Sequence, residues 1–199
     1  MDFKKVFLGR RSFRKYKKKS VPVELIGEVI DLARFTPSSG NLQSWKFVVV
    51  TDQDKRNEIA EASMQQQWMS EAPVHIVICN DYEDVKKHYG KLGKMYSIQN
   101  TANVSFAMTL IAYNLGLASC WIGAFDNEAV QRILGIPDNM DPEVIITLGY
   151  ADEIKEPSMR DDPEYMTFFN GWGNKGVSFP SHLDRIKKHV DKLKKKVIS

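Results

Sequence analysis

The chain has 199 residues, of which 43% are hydrophobic and 27% are charged, and its formal net charge is +3. A chain of this length and composition can bury a substantial core, which excludes wholesale disorder and collagen-like repeats. Its apolar runs stay well below the eighteen or so residues of a membrane span, and no secretory signal is recognised at its start, so we expect one cytoplasmic domain, residues 1–199.

The chain begins with a strongly basic segment. Residues 1–20 contain nine Lys or Arg and one acid, and residues 180–199 contain seven against two, which leaves twelve basic and twenty-two acidic residues between them. Basic ends around an acidic body are compatible with nucleic acid, an anionic membrane, a small phosphate, a partner subunit or the acidic body itself. Nucleic acid is disfavoured because no recognised nucleic-acid module accompanies the charge.

Hydrophobic periodicity predicts alternating helices and strands beyond this segment. Pro37 disfavours helical geometry in the residue before it, so the first helix should end near Thr36. The predicted elements are helix 25–36, strand 46–51, helix 54–62, strand 74–79, helix 98–115, strand 119–125, helix 127–134 and strand 143–150. Well-separated strands among helices indicate a mixed chain of both types.

A narrow apolar stripe marks the C-terminal segment, about residues 181–198. Its hydrophobic residues recur at spacings of three and four, which predicts a basic amphipathic helix: Leu183, Ile186, Val190, Leu193 and Val197. Such a stripe must pack on something. We expect the parent domain or a partner subunit to cover it rather than a membrane surface.

Several familiar catalytic patterns are missing from the sequence. GxxxxGK[ST], HExxH and GxSxG do not occur, and the four histidines are scattered, which argues against metal catalysis. Cys79 and Cys120 have no CxxC spacing, so neither a zinc framework nor a disulfide is expected. His75 lies in a predicted strand and should be a core residue. Residues 171–176 spell GxGxxG, but no predicted strand precedes them, so we interpret them as a loop.

Two polar segments combine residue types that bind ligands. The run Arg10-Arg11-Ser12-Phe13-Arg14 has three guanidinium groups and a hydroxyl, and arginine offers forked donors to phosphate and to heterocycle edges. The loop at residues 37–45, PSSGNLQSW, joins a helix to a strand and offers small residues and amide side chains. Taken alone, a run of charges like the first segment is ordinarily a solvated basic turn, and the second segment by itself only suggests a site.

The order of these segments and of later motifs resembles the FMN-dependent nitroreductase family. RRSxR and PSxxNxQxW are the two distinctive motifs of the resemblance. The later matches are Ala72-Pro73, Leu115-Gly116-Leu117, SCWIGAF, Leu134-Gly135-Ile136-Pro137, Leu148-Gly149-Tyr150 and Arg160. The resemblance covers about residues 3–173. It implies an α+β fold, a three-layer sandwich in which a mixed, mostly antiparallel sheet is flanked by helices.

The resemblance also implies which residues hold FMN. Arg10 and Arg160 would contact the phosphate, Arg14 would lie near the N1/O2 edge of the ring, and Gly123 and Ala124 would offer backbone N–H groups near N5. The full implied set is Arg10, Arg11, Ser12, Arg14, Pro37, Ser38, Ser39, Asn41, Gln66 (or Gln65), Ile122, Gly123, Ala124 and Arg160. No catalytic side chain and no metal ligand is expected, because the cofactor carries the chemistry.

The activity implied by the resemblance is ping-pong electron transfer. NAD(P)H would reduce FMN, and a nitroaromatic, quinone or similar conjugated small molecule would then be reduced. Family members are homodimers with FMN at the interface, so residues 37–41 would approach the flavin from the facing subunit or from a nearby loop. The alternatives are another flavin reaction such as reductive dehalogenation, flavin binding without turnover, and, from another class, a basic nucleic-acid-binding protein.

The sequence departs from the family pattern at three places. Ser44 replaces the usual proline, which could loosen the loop at residues 37–45. Asn100 and Phe106 occupy positions where many relatives have acidic or amide residues. The aromatic residues between Tyr165 and Trp172 could either wall a pocket or pack under a loop.

Overall fold

The computed structural model describes residues 2–176, and a four-stranded sheet lies at its centre. The elements in chain order are α1 (Phe3–Gly9), α2 (Val23–Ala33), β1 (Trp45–Val50), α3 (Gln53–Ala62), β2 (Val74–Asn80), α4 (Glu83–Tyr89), α5 (Gly93–Asn114), β3 (Ala118–Ile122), α6 (Asn127–Leu134), β4 (Asp141–Gly149) and α7 (Pro163–Met166). The helix expected at 181–198 lies outside the described residues, so a single domain that includes this helix stays a prediction.

The strands are ordered β1-β2-β4-β3, and all three neighbouring pairs are antiparallel. β2 is buried along its whole length and β4 along most of it, because these central strands carry apolar side chains on both faces. β1 and β3 form the two edges of the sheet. These findings confirm the α+β class and the mostly antiparallel sheet.

Helices cover both faces of the sheet and so produce three layers. α2 and α5 pack on the face that includes Ile76 and Ile146. α3 and α6 pack on the opposite face, which includes Val77 and Ile145. The alternation of strand side chains sends neighbouring residues into different layers. The predicted three-layer arrangement is therefore present.

The long helix α5 begins five residues before the predicted start at residue 98. Its first half buries small and polar residues, among them Gly93, Ser97 and Thr101, so hydrophobic periodicity does not reveal it. The hydroxyl groups are satisfied locally: Thr101 donates to the carbonyl of Ile98 at 2.8 Å, and Ser105 donates to that of Thr101 at 2.7 Å. A polar buried face is thus compatible with a helix at the centre of the fold.

Three further helices, α1, α4 and α7, were not predicted. α1 and α4 each have seven residues and a single buried residue, Val6 in α1 and Val85 in α4, and α7 has four residues and no buried one. This is too little to produce a periodic pattern. The described residues form two compact units that divide between Pro157 and Ser158. No helix within residues 2–176 is both long and apolar enough to cross a membrane.

Candidate functional site

The basic N-terminal segment runs along the β3 edge of the sheet. Ser12 forms an isolated parallel bridge with Ser119 of β3, and the N–H of Phe13 donates to the Ser119 carbonyl at 3.0 Å. Tyr16 forms an antiparallel bridge with Ala151, just beyond β4. These contacts hold the segment between them against the sheet, and along extended backbone alternate side chains lie on opposite sides.

The charges of three cations and a hydrogen bond with a hydroxyl group act on the thiol of Cys120 on β3. Burial raises the pKa of this thiol, while the charges of Arg14, Lys155 and Arg10 and a hydrogen bond with the Ser12 side chain act in the opposite direction. The net shift is upward, so the thiol is protonated at neutral pH. We call Arg10, Arg14 and Lys155 the cation cluster. Its combined charge favours an anion at this edge of the sheet.

Side chains from a turn before β2 extend this site. The guanidinium of Arg14 lies 5.6 Å from the centre of the Trp68 ring, within the range of a cation–π contact. Gln66 donates through Nε2 to the carbonyl of Ala124 at 3.4 Å, in the loop that follows β3. Gly123 and Ala124 are exposed, whereas Ile122 is buried. Gln66 therefore contacts the loop after β3, and Arg14 contacts the turn that carries Gln66. The roles of these residues toward FMN stay predictions.

Arg11 makes contacts of a different kind. Its Nη1 donates to the carbonyls of Leu8 at 2.6 Å and Arg10 at 2.8 Å, and its Nε donates to the carbonyl of Glu156 at 3.2 Å. These bonds tie the end of α1 to the chain beyond β4. They favour a structural role for Arg11 rather than a contact with a ligand.

The second polar segment, which we call the 37–44 loop, is held by one residue of α5. Asn100 accepts through Oδ1 from the N–H of Ser39 at 2.8 Å and from its hydroxyl at 3.0 Å, and donates through Nδ2 to the Ser44 hydroxyl at 3.2 Å. Asn100 is only 2% exposed. Two of the positions at which the sequence departs from the family pattern, 44 and 100, thus bond to each other. A hydrogen bond takes over the restraint that proline would supply.

The tip of this loop has left-handed backbone. Gly40 and Asn41 have φ values of 55° and 57°, which glycine adopts without strain and asparagine tolerates better than most residues. A Cβ at position 40 would lie 2.9 Å from the hydroxyl of Tyr89. Both the backbone conformation and the space therefore favour glycine at position 40.

The 37–44 loop and the chain beside the cation cluster contact α5 at two separate places. The loop bonds to Asn100, whereas Gly9, next to Arg10, packs directly on Tyr113. Thirteen residues of α-helix rise about 20 Å. The two segments also join different edge strands, β1 and β3. Within one chain the two polar segments are therefore apart.

Arg160 belongs to the second unit of the structure. Its Nη1 donates to the carbonyl of Met159 at 2.8 Å. In the same unit the rings of Phe168 and Trp172 lie 4.6 Å apart, and Nζ of Lys175 lies 4.4 Å from the Phe168 ring. Trp172 is nevertheless 92% exposed. The roles of Arg160 at a phosphate and of the aromatic residues at a pocket wall stay predictions.

A cleft of about 990 Å³ is lined by residues 16–21, which continue the N-terminal segment, and by residues from elsewhere in the fold. Its lining includes the exposed Lys17, Lys18 and Lys19 and the buried Arg56. Arg56 donates to oxygens of the surrounding chain, namely those of Thr51, Gln53, Ser70 and Ala72. The hydrogen bonds of Arg56 therefore favour a structural role for this residue rather than a contact with a ligand.

The remaining buried titratable groups lie in the core. His75 is fully buried, its Nε2 lies 2.9 Å from the carbonyl of Met69, and burial lowers its pKa to about 4. Cys79 and Cys120 are both free, and burial raises the pKa of Cys79 to about 11. Among residues 2–176, no three His, Cys, Asp or Glu side chains are gathered as a metal site.

Sequence reasoning missed three residues of the β3-edge site. Trp68 could have been noticed only as an aromatic residue beside the glutamines at 65–67. Glu153 and Lys155 form an ion pair at 3.4 Å beside the N-terminal segment, but they follow Tyr150 in a stretch without a recognisable motif. Their significance depends on partners about 140 positions away, which no local spacing reveals.

Comparison with known proteins identifies similar chains. The Nitroreductase family model matches residues 8–68 and 63–150. An NADH dehydrogenase of Thermus thermophilus is 34% identical, over 80% of this chain and 92% of the relative. An NADH dehydrogenase/NAD(P)H nitroreductase of Methanothermobacter thermautotrophicus is 32% identical, over 82% and 85%. A solved FMN-dependent nitroreductase from Clostridium difficile R20291 has a TM-score of 0.74 at 28% identity, and the match covers 84% of this chain and 98% of that one.

Proposed function

The chain belongs to the nitroreductase family, and we propose that it is an FMN-dependent oxidoreductase that uses NAD(P)H. Its acceptor would be a nitroaromatic, a quinone or a similar conjugated molecule, reduced in the second half of a ping-pong cycle. The observation that carries this proposal is the cation cluster at the β3 edge, because it supplies charge for an anionic cofactor beside directional polar groups.

The donors at the β3 edge fit a phosphorylated flavin. We assign the phosphate to Arg10 and Ser12, because charged forked donors and a hydroxyl group suit a phosphate. Arg14, whose guanidinium lies over Trp68, would face the polar N1/O2 edge of the ring. The charges that act on the Cys120 thiol support this assignment, since the same field stabilises an anion.

The loop after β3 and the turn before β2 would border the ring. Gly123 and Ala124 are exposed and can offer backbone N–H groups. Gln66 bonds to the Ala124 carbonyl and so limits the movement of that loop. These contacts support a site whose polar groups are already oriented before the cofactor binds.

Bound FMN would supply the redox chemistry, accepting a hydride and delivering electrons to the second substrate. The chain itself then needs to bind the cofactor, orient it and leave one face open to substrates. Cys120 takes no part as a nucleophile, because its raised pKa keeps the thiol protonated.

We propose that a second copy of the chain completes the site. An apolar stripe runs along α5 and continues on α1, and its members are exposed: Phe3, Phe7, Met95, Ile98 and Phe106. The Phe3 and Phe7 rings lie 5.3 Å apart, and those of Phe7 and Phe106 lie 5.7 Å apart. If two copies packed antiparallel along this stripe, the 37–44 loop of one would meet the cation cluster of the other.

A visible absorption spectrum of the purified protein tests the proposed function directly. Flavin bands should be present or should form on adding FMN, and they should bleach under anaerobic conditions with NADH or NADPH. A panel containing a nitroaromatic, a quinone and a halogenated tyrosine then ranks the acceptors. A protein that stays colourless with excess FMN would refute the proposal.

The phosphate assignment is tested with Arg10→Ala. We expect FMN affinity to fall by about 1–3 kcal/mol, the range for losing a charged hydrogen-bond partner. The matched control is Arg132→Ala, since Arg132 is an exposed arginine on α6, away from the β3 edge. Equal flavin retention by the two variants after dialysis would remove Arg10 from the site.

Mixed dimers test whether two chains share each site. Asn41→Gly removes an amide from the 37–44 loop while it tolerates the same left-handed backbone. When Arg10→Ala and Asn41→Gly chains are co-expressed with different tags, a shared site gives one intact and one doubly altered site per mixed dimer. Recovery of about half the wild-type flavin content supports sharing. No recovery over the two parent variants would contradict it.

A further inference from the structure

Two side chains that are about 140 positions away in sequence, a carboxylate and an ammonium group, bond to the main chain of the N-terminal segment. Oε1 of Glu153 accepts from the N–H of Arg14 at 2.6 Å and from the N–H of Lys15 at 3.2 Å. Nζ of Lys155 donates to the carbonyl of Ser12 at 2.6 Å and lies 3.4 Å from Oε1 of Glu153. Three contacts thus fix residues 12–15 through their backbone, and the ion pair joins the two side chains that make them.

We propose that Glu153 and Lys155 are positioning residues for the cofactor, a proposal that rests on the proposed function. They hold the main chain of residues 12–15 so that Ser12 and Arg14 face the ligand. Neither residue needs to touch the flavin for this purpose. The observation behind the proposal is that these bonds are made to the backbone of the same short segment that carries Ser12 and Arg14, the two side chains assigned to FMN.

Glu153 does not pair with the guanidinium group of Arg14, although it bonds to the backbone of that residue. Glu153 directs Oε1 to two backbone N–H groups and to Lys155, and no ion pair between it and Arg14 is found in the described part of the chain. The guanidinium of Arg14 therefore keeps its charge available over the Trp68 ring. Glu153 stabilises the segment without neutralising the side chain that the segment carries.

The carboxylate is held in its charged form. Burial alone would raise the pKa of Glu153, but the hydrogen bonds from the N–H groups of Arg14 and Lys15 and the nearby charge of Lys155 outweigh it and lower the pKa. A charged acceptor makes stronger hydrogen bonds to N–H groups than a neutral one. These hydrogen bonds are thus in place throughout the neutral pH range.

Other backbone hydrogen bonds of the segment do not involve Glu153 and would remain after its removal. The N–H of Phe13 bonds to β3 and that of Lys17 bonds to the Tyr150 carbonyl. Between those two bonds, Glu153 is the acceptor for the N–H groups of Arg14 and Lys15. Its loss removes the acceptor of these two N–H groups. Phe13, Lys17 and the Lys15 carbonyl, which accepts from the N–H of Asp152 at 3.0 Å, still attach the segment to the rest of the fold. We therefore expect weaker cofactor binding in a protein that is still folded.

Three variants of Glu153 test the proposal by titration of the apoprotein with FMN, followed by flavin fluorescence. Glu153→Ala removes the acceptor and should raise the Kd of FMN about 10-fold or more. Glu153→Gln keeps an acceptor oxygen at the same reach and should restore affinity to within about 3-fold, because a partly exposed ion pair adds little. Glu153→Asp is one methylene shorter and should behave like Glu153→Ala.

The control is Glu156→Ala, because the side chain of Glu156 is exposed and only its carbonyl bonds to Arg11. If wild-type protein binds no FMN, the proposed function itself fails. If wild type binds FMN and Glu153→Ala binds equally well, the positioning role is wrong while the proposed function stands. If Glu153→Ala does not fold, the comparison of Glu153→Gln with Glu153→Asp decides, and equal affinities in that pair would overturn the proposal.

Discussion

Replacing Asn100 by alanine should unfasten the 37–44 loop. The substitution removes three hydrogen bonds, two from Ser39 and one to Ser44, at a residue that is 2% exposed. Each such bond contributes about 0.5–1.5 kcal/mol net, so the loss comes to about 3 kcal/mol. In a protein of this size that corresponds to a fall in Tm of about 6–12 °C.

Asn103→Ala is the matched control for this experiment. Asn103 is exposed on α5, less than one turn beyond Asn100, so both substitutions bring the same gain in helix propensity. The difference between the two variants, measured by urea unfolding followed by circular dichroism, isolates the buried hydrogen bonds. Hydrogen exchange should also be faster at residues 39–44 in Asn100→Ala. A difference below about 0.5 kcal/mol would refute the view that Asn100 fixes the loop.

Three further predictions concern buried polar groups. The pKa of His75 is lowered to about 4 from 6.5, so wild-type stability should fall by up to about 3 kcal/mol as pH drops from 6.5 to 4, and His75→Gln should lose this part of the slope in urea unfolding. Tyr16→Phe removes bonds to the Thr147 hydroxyl and the Phe13 carbonyl and should cost about 1–2 kcal/mol of stability. Cys120→Ser should keep NAD(P)H oxidation within about 2-fold, because a protonated thiol is a poor nucleophile and the reaction is not expected to use it.

Each of these predictions has its own control. His88→Gln changes an exposed histidine and should leave the pH slope unchanged; a slope that persists in His75→Gln would show that other groups produce it. Tyr165→Phe changes an exposed tyrosine and should be nearly neutral, so equal effects at positions 16 and 165 would argue against the buried network. Loss of turnover in a folded Cys120→Ser protein would mean that the thiol takes part in the reaction.

The central elements could be predicted because their signals are local. The run from Val74 to Cys79 is apolar on both faces and bounded by polar or turn residues, and the strand found there, Val74–Asn80, differs by one residue. Gly135 was predicted to end α6, and it does so with a left-handed φ of 65°. In both cases a few neighbouring residues determine the structure.

The contacts that build the candidate site are harder to predict from the sequence, because the residues that make them are far apart in the chain. Asn100 bonds to Ser39, 61 positions away, and Glu153 bonds to the backbone of Arg14, 139 positions away. Neither pair has a characteristic spacing, and a backbone N–H is available at almost every residue. A resemblance to known motifs can suggest which side chains meet a ligand, but the residues that hold those side chains become visible only in the fold.

The separation along α5 of the two segments proposed as halves of one site has a consequence for how the site is built. The 37–44 loop bonds to Asn100, and Gly9, next to Arg10, packs on Tyr113, so the stretch of α5 between Asn100 and Tyr113 separates the two proposed halves within one chain. Packing two copies antiparallel along the exposed stripe would convert that fixed distance into contact between unlike halves. Under this arrangement the geometry around the cofactor depends on the register of two helices. Residues such as Phe106, which bond to no ligand, would then control the site through the interface.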